Sequence, residues 1–299
     1  SGLNAIGYNT LDNYIYGIGG GNLIKIDAAG GMTSMGAVSG SPATSGGDFW
    51  GASGNMLTAP SNSNSWTKLN VATRAATAYT LTTASGSTAW GALDLTIIGN
   101  TAYGLSSQTL YTVALGAASG VVSTKTVSGP TNGSYGASYA DSSGNMYFFN
   151  NNTSEVFKIT AAELAKANPV ATKVTTASPT LSAPNDGAAC SLAASPFDPP
   201  APVNDTFSTN NAAAFTVNGS SAINLKTNDQ AGVAYKIKSV TYNGTTITAN
   251  NASITSANGT LTVTDFTNGY FTFAPTAGYT GAVSFTYDLI ETAGNLRAS

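Results

Sequence analysis

A short turn followed by an apolar strand recurs along the first half of the chain. The turn dipeptides are Asp12-Asn13, Gly54-Asn55, Gly99-Asn100 and Gly144-Asn145. Their asparagines are 42, 45 and 45 residues apart. A repeat of about 40–45 residues is typical of the blades of β-propellers, in which each blade is a four-stranded sheet. This period limits the fold more strongly than any other feature of the sequence.

Within each repeat, the segments around the turn also agree in pattern. A second strand follows the strand that comes after the turn. In every copy the third residue of this second strand is polar, between apolar neighbours. These strands are 23–26, 66–69, 110–113 and 156–159. Such alternation indicates strands with one exposed face. Residues 160–168 interrupt the fourth copy with a helical pattern that Pro169 ends.

A fifth copy begins at Asn185 but is cut off by a proline-rich stretch, so it supplies one strand. We therefore predict a β-propeller-like domain of about five blades, one of them incomplete, over residues 1–195. The missing strands of this blade are expected from sequence before Ser1 or from a partner. Propellers commonly close their ring with strands from both chain ends, which hides exposed edges.

Residues 196–201 form the predicted linker, since residues 195–202 hold four prolines. After it, residues 202–299 show short alternating strands, predicted at 222–225, 237–242, 270–273 and 283–287. Asn-Gly pairs, which favour type I′ hairpin turns, begin at Asn218, Asn243, Asn258 and Asn268. The number and spacing of the strands predict an immunoglobulin-like β-sandwich, so the whole chain is predicted to be all-β.

The last hundred residues resemble the cadherin-like tandem repeats of large bacterial adhesins. The resemblance rests on the motifs at 202–205, 225–229, 273–275, 278–281 and 284–287. In that family an acidic stretch that can hold calcium commonly follows; here residues 230–233 are Gln-Ala-Gly-Val, so no metal site is carried over. The family pattern also ends with a Val/Thr-rich strand, expected just after Asn295.

The first domain is similar to an uncharacterised propeller-like domain of secreted surface proteins. The similarity lies in residues 2–9, 14–17 and 185–188. Together the two resemblances imply a segment of a bacterial surface adhesin, located outside the cell or on its surface. They imply no cofactor and no activity.

The composition excludes several classes of function. Charged residues make up 8% of the chain, with a net charge of −3, so no basic surface is available for nucleic acid. No apolar stretch approaches the length of a membrane span. The chain has no His and one Cys, Cys190, which excludes catalytic triads with His and multi-thiolate metal sites.

Two sets of residues remain as candidate sites. The aromatic residues Tyr8, Trp50, Trp90 and Tyr135 adjoin a glycine in each repeat and are predicted in or beside the innermost strands. They either form a ring that stacks on sugars at one mouth of the propeller or pack between blades. The second set comprises Asp12, Asp48, Asp94 and Asp141 near the repeat turns, where the simplest interpretation is a side chain that binds its own turn.

The sequence thus favours a non-catalytic structural or adhesive protein of a bacterial surface. Its expected partners are neighbouring copies or flanking domains of the same protein, with a surface glycan or protein as a further ligand. A fibre subunit that assembles by strand complementation is one form of this hypothesis. The alternatives are a lectin-like propeller and a polysaccharide-acting enzyme, which requires two carboxylates about 5–10 Å apart in an open cleft.

Overall fold

The computed structural model describes residues 2–176, 186–195, 197–198, 200–208, 213–229 and 234–292. It divides the chain into two compact units, Ser1–Ala193 and Ala194–Ser299. The predicted calcium-loop position at 230–233, the strand expected after Asn295, and Asn185, where the fifth copy begins, lie outside the described residues. Within the described residues, no helix is long and apolar enough to cross a membrane.

The first unit confirms the predicted propeller-like fold. Four blades, each with four antiparallel strands, follow one another along the chain. The first has β1 (Asn4–Asn9), β2 (Tyr14–Gly19), β3 (Asn22–Ile26) and β4 (Met32–Ala37); the second has β5 (Gly46–Phe49), β6 (Asn55–Ala59), β7 (Ser65–Asn70) and β8 (Ala75–Thr83). The third has β9 (Thr96–Ile98), β10 (Thr101–Ser106), β11 (Thr109–Leu115) and β12 (Ser119–Thr126); the fourth has β13 (Tyr135–Ala140), β14 (Met146–Asn150), β15 (Glu155–Ile159) and β16 (Thr172–Thr176).

Each predicted turn dipeptide leads into the second strand of its blade, as the repeat indicates. A 3-10 helix, Gly51–Ser53, follows β5, and the predicted helix at 160–168 is shorter, α1 (Ala161–Leu164). The Thr160 hydroxyl caps it by accepting the backbone N–H of Glu163. Residues 186–190 contain no assigned strand, so the predicted strand of the fifth copy is instead an irregular segment.

The hydrophobic cores of the first unit lie between successive blades. Leu57 and Trp66 of the second blade belong to one cluster with Trp90 and Val113 of the third. Similar clusters join the first blade to the second and the third to the fourth. Since burial of apolar surface is the main stabilising term, each blade depends on its neighbour for stability.

The outer rim has hydrogen bonds of its own between blades. After the first blade, Ser39 binds the backbone of Arg74 and Ala76 at the start of β8. After the third, Ser128 makes the same pair of backbone bonds near β16, to Pro169 and Ala171. Between the second and third blades, β8 and β12 pair directly in parallel and merge the two blades into one eight-stranded sheet. We call these contacts the rim clasps.

The second unit contains two β-sheets that share one hydrophobic core. The four-stranded sheet has the order β17 (Phe215–Val217), β22 (Tyr270–Pro275), β21 (Gly259–Asp265) and β20 (Ala252–Ser256). The three-stranded sheet has the order β19 (Thr245–Ile247), β18 (Tyr235–Tyr242) and β23 (Thr286–Glu291). The β18–β19 turn has positive φ at both Asn243 and Gly244, as the predicted type I′ turn requires.

Two predicted strands of this unit differ from the structure. Residues 222–225 form no strand, because a turn begins there: the Asn224 side chain accepts the backbone N–H of Lys226, and the Asn224 backbone N–H donates to the Thr227 hydroxyl. Such local side-chain bonds compete with strand pairing. The strand predicted at 283–287 begins only at Thr286.

Candidate functional site

The innermost strands of the first unit meet around a central axis, where three aspartates bind across blade boundaries. Asp48 Oδ2 accepts the backbone N–H of Ile97 at 2.7 Å, and Asp94 Oδ2 accepts that of Ser138 at 2.6 Å. Each contact joins one blade to the next. The truncated fifth copy repeats it, since Asp186 Oδ2 accepts the N–H of Ile6 in β1 at 2.8 Å. This last bond joins the two ends of the repeat array.

The second oxygen of each of these carboxylates has the same local partner. Oδ1 accepts the backbone N–H of the next residue, at 2.8 Å for Asp48, 2.7 Å for Asp94 and 2.8 Å for Asp186. Asp94 also accepts the Ser138 hydroxyl at 2.9 Å. Three carboxylates thus use both oxygens for backbone hydrogen bonds. We call Asp48, Asp94 and Asp186 the axial aspartates.

The axial aspartates hold their protons more tightly than ordinary carboxyls. Burial raises the pKa of Asp48 to about 7, against the hydrogen bonds it accepts, and the charge of Asp186 adds to the increase. Burial likewise raises the pKa of Asp186 to about 7. Burial, followed by the charge of Asp186, holds the pKa of Asp94 well above its usual range.

A cavity of about 170 Å³ opens beside this cluster. Its polar lining residues are Tyr8, Thr10, Asp48, Thr96, Ser138, Tyr139 and Ser191. A hydrogen bond to Cys190, with burial as a second cause, raises the pKa of the Tyr8 phenol to about 12. Pockets for small-molecule ligands commonly measure about 300–1,000 Å³, so the cavity is small for a sugar.

The structure corrects the sequence interpretation of Asp48 and Asp94. Asp48 lies in β5 and Asp94 just before β9, so neither binds its own repeat turn. The turn role holds for Asp12, which accepts the N–H of Tyr14, and for Asp141, whose Oδ1 accepts the N–H groups of Ser143 and Asn145.

The sequence analysis assigned no role to Asp186, although Asp186 belongs to the recognised fifth copy. A signal for the other two exists, since Asp48 and Asp94 precede the turn residues Asn55 and Asn100 by seven and six residues. Within the described residues, no group of three His, Cys, Asp or Glu side chains has the arrangement of a metal site.

The four aromatic residues do not come together at one mouth. Trp90 and Tyr135 are each about 1% exposed, and Trp50 is partly buried against Tyr79. Tyr8 alone of the four lines the central cavity. The predicted equivalence is also wrong in register: Tyr8 lies within β1 and Tyr135 begins β13, but Trp50 follows β5 and Trp90 precedes β9 by six residues.

In the second unit, a larger groove of about 1040 Å³ lies beside β23 and β22. Seven of its lining residues are aromatic: Phe207, Phe215, Phe271, Phe273, Tyr279, Phe285 and Tyr287. Within the described part of this unit, β23 pairs with β18 on one side only. The other edge of β23 therefore leaves backbone groups for a further strand.

The segment 202–208 lines one side of the groove. The Tyr287 hydroxyl lies 3.0 Å from the Val203 carbonyl oxygen, 3.0 Å from Asp205 Oδ2 and 2.9 Å from Asp229 Oδ1. The Phe207 ring packs against Phe271, with 5.0 Å between the ring centroids.

Comparison with solved structures finds similar folds at low identity. A streptogramin B lyase is 14% identical, with 60% of this chain and 56% of that chain covered and a TM-score of 0.38. Virginiamycin B lyase from Staphylococcus aureus is 10% identical, with 92% and 80% covered and a TM-score of 0.40. The extracellular domain of a putative one-component system from B. thetaiotaomicron is 11% identical, with 91% and 34% covered and a TM-score of 0.36.

The chain spans just over half the length of the first two structures that it matches. These values are too low to transfer any activity. No curated protein sequence matches the chain. Residues 1–192 match a family model described as a repeat of unknown function, DUF6923. Because this match covers more than half of the sequence, the chain belongs to the DUF6923 family.

Proposed function

We propose that this chain is a non-catalytic structural or adhesive protein that acts outside the bacterial cell. The observation that carries the proposal is the use made of the axial aspartates. Their oxygens bind backbone N–H groups across the blade boundaries and beside each carboxylate. Carboxylates held in this way stabilise the ring of blades. They are not free to act as the acid and base that glycoside hydrolysis requires.

The enzyme hypothesis has one observation in its favour, because carboxyls with raised pKa beside a cavity are often catalytic. The size of the cavity opposes it. A polysaccharide enzyme needs room for a sugar between its two carboxylates, and about 170 Å³ leaves too little. The buried Trp90 and Tyr135 also weaken the lectin-like alternative at the same mouth.

The location outside the cell rests on composition. Only 8% of the residues are charged, and Ser, Thr and Asn provide the polar side chains instead. This pattern supports an exported β-rich protein.

The second unit supports the assembly part of the proposal. A strand from a second copy of this chain is the occupant we propose for the aromatic groove. It would pair with the open edge of β23 and bury apolar side chains against Phe271 and Phe285, as in strand complementation. Because donor and acceptor surfaces differ, such contacts propagate head to tail rather than close into a dimer.

The catalytic alternative is tested by incubating the protein with a panel of soluble polysaccharides and measuring the release of reducing ends. We expect no release above that of the Asp48→Asn variant, since Asp48 is the carboxylate that lines the cavity. Release that the wild type gives and Asp48→Asn loses contradicts the proposal.

The assembly contact is tested by sedimentation velocity over a range of protein concentrations. We expect species heavier than the 30.0 kDa chain, with the fraction rising with concentration. Ser284→Lys places a charged side chain on the exposed rim of the groove and should abolish association. Thr245→Lys is the matched control, since Thr245 is exposed but lies in β19, away from the groove lining. A monomer at every concentration, or equal association of Ser284→Lys, refutes the second-copy contact.

A further inference from the structure

A row of apolar side chains crosses one face of each of the four blades. Residues that pair directly across antiparallel strands lie on the same face of a sheet. In the last three blades the rows are Met56, Leu69 and Ala76, then Ala102, Val113 and Val122, and then Met146 and Ile159. In the first blade, Ile15 pairs with Ile26 and Ile26 with Met32. All four rows start on the second strand of their blade and so occupy the same place in the repeat.

In the last three blades, the row packs against the blade that comes before it. Met56 and Leu69 are 0% exposed and belong to one cluster with Leu23 of the first blade. The row of the third blade shares a cluster with Trp66 of the second, and the row of the fourth blade shares one with Leu110 of the third. In each of these blades the row is therefore one half of an interface between blades.

The row of the first blade is exposed instead. Met32 is 70% exposed, and Ile15 and Ile26 are half-buried. Leu3 lies over Gly17 on the same face and leaves the row itself uncovered. Apolar side chains that are exposed at a place where the other blades have an interface indicate a binding surface for a further blade. We call Ile15, Ile26 and Met32 the open row.

The segment 186–190 indicates which blade belongs there. Asp186 accepts the backbone N–H of Ile6 in β1, as the other axial aspartates do from the blades that follow theirs. On the other side of the segment, Gly187 lies against Ala137 of β13 in the fourth blade. The segment thus takes the place of an innermost strand between the fourth blade and the first. Because each complete blade has four strands, a fifth blade built on this segment needs three more.

The connections between the blades indicate where those three strands come from. The outermost strand of each blade leads into the innermost strand of the next, through eight residues from β4 to β5 and again from β12 to β13. By the same rule, the polypeptide that leads into β1 is the outermost strand of the fifth blade. The order of the repeat therefore places the three strands before β1 and the innermost strand at 186–190.

We propose that the open row binds three antiparallel strands of the polypeptide that precedes Ser1 in the full-length protein, and that these strands complete a fifth blade with the segment 186–190. The strands present apolar side chains to Ile15, Ile26 and Met32, as the second blade does to the row of the third. The completed blade covers the exposed apolar face of the first blade and joins both ends of the repeat array in one sheet.

Methionine oxidation measures whether the open row is covered, because hydrogen peroxide oxidises exposed thioethers fastest. Met56 and Met146 lie in buried rows and serve as references within the same molecule. Mass spectrometry of peptides gives the rates for the 299-residue chain and for the full-length protein purified from its native source. In the 299-residue chain, Met32 should react at least about tenfold faster than Met56 and Met146. In the full-length protein, its rate should fall at least about tenfold, and the same peptides identify the sequence before Ser1.

A second experiment supplies three strands of known sequence. A copy of residues 99–131, which carries β10, β11 and β12, is joined in front of Ser1 and leaves eight residues between the copied β12 and β1. Leu110 of the copy should cover the open row, as it covers the row of the fourth blade. We expect oxidation of Met32 and hydrogen exchange in β3 and β4 to slow at least about fivefold. Leu110→Asp within the copy should remove this effect, while Thr77→Lys, which changes an exposed residue of β8, should keep it.

Met32 oxidation that is equally fast in the full-length protein and in the 299-residue chain overturns the proposal, whatever the joined copy does. Slow oxidation in a full-length protein that has no strands before Ser1 overturns the proposed source and assigns the cover to a separate partner. Equal slowing by the joined copy with and without Leu110→Asp contradicts binding at the open row. If the joined copy does not pack, the comparison with the full-length protein decides.

Discussion

Replacing Trp90 with alanine is expected to lower the free energy of unfolding of the first unit by about 3–5 kcal/mol. Trp90 is about 1% exposed. Its ring lies 4.8 Å from that of Trp66 and 5.7 Å from that of Tyr111, both in edge arrangements. It thus fills the space between the second and third blades, and its removal leaves a large cavity there.

Trp50→Ala is the matched control for this prediction. Trp50 is partly buried, and its Nε1 donates to Asn100 at 3.1 Å. We expect a smaller loss, about 1–2 kcal/mol. Urea denaturation followed by far-UV circular dichroism measures both values. Hydrogen exchange of peptides from β7 and β11 assigns the transition to the first unit.

The result separates packing from sugar recognition. A Trp90→Ala protein that keeps its stability but loses binding to glycans would support the hypothesis that the aromatic residues bind sugars at the mouth of the propeller. A large loss of stability shows instead that Trp90 packs between blades, as its burial indicates.

The blade repeat was predictable because its signals are local. A turn dipeptide and the alternation of a five-residue strand depend on neighbours within one hairpin. Tyr14 to Ile26, for example, reads directly as β2, turn and β3. The Asn243-Gly244 turn was predictable for the same reason, since positive φ at both positions restricts the residue types.

The axial aspartates were not predictable in the same way. The partner of Asp186 is the backbone N–H of Ile6, 180 residues earlier in the sequence. Nearly every residue type has a backbone N–H, so a backbone donor does not restrict the residue at its position. The partner of Asp186 therefore leaves no pattern in the sequence. The common position predicted for the aromatic residues differs from the structure for another reason: their place relative to the innermost strand varies between blades, from within β1 to six residues before β9.

The rim clasps also have a sequence signal that was overlooked. Val-Ser-Gly occurs at 38–40 and again at 127–129. In both copies the serine makes the backbone bonds to the next blade. The glycine that follows has positive φ, +83° at Gly40 and +102° at Gly129. The requirement for glycine at Gly40 and Gly129 can be tested by substitution.

Gly40→Ala is expected to cost at least about 3 kcal/mol of the free energy of unfolding. A Cβ on Gly40 meets the Ala76 carbonyl oxygen well inside 3.0 Å, so the side chain collides with backbone that cannot rotate away. The same change adds the strain of positive φ. The clasp between Ser39 and Ala76 should open, and hydrogen exchange at the Ala76 amide should accelerate.

Gly30→Ala separates the two causes, because Gly30 has nearly the same φ, +82°, but no atom within 4 Å of a Cβ. Gly30→Ala should therefore lower the free energy of unfolding through backbone strain alone, by about 1 kcal/mol. Gly129→Ala should behave like Gly40→Ala, since its Cβ would strike the Ala171 carbonyl oxygen. Equal losses for Gly30→Ala and Gly40→Ala in urea denaturation would show that the collision is relieved by movement of the rim. A loss for Gly40→Ala that exceeds the Gly30→Ala value by about 2 kcal/mol shows that the clasp holds adjacent blades in fixed register.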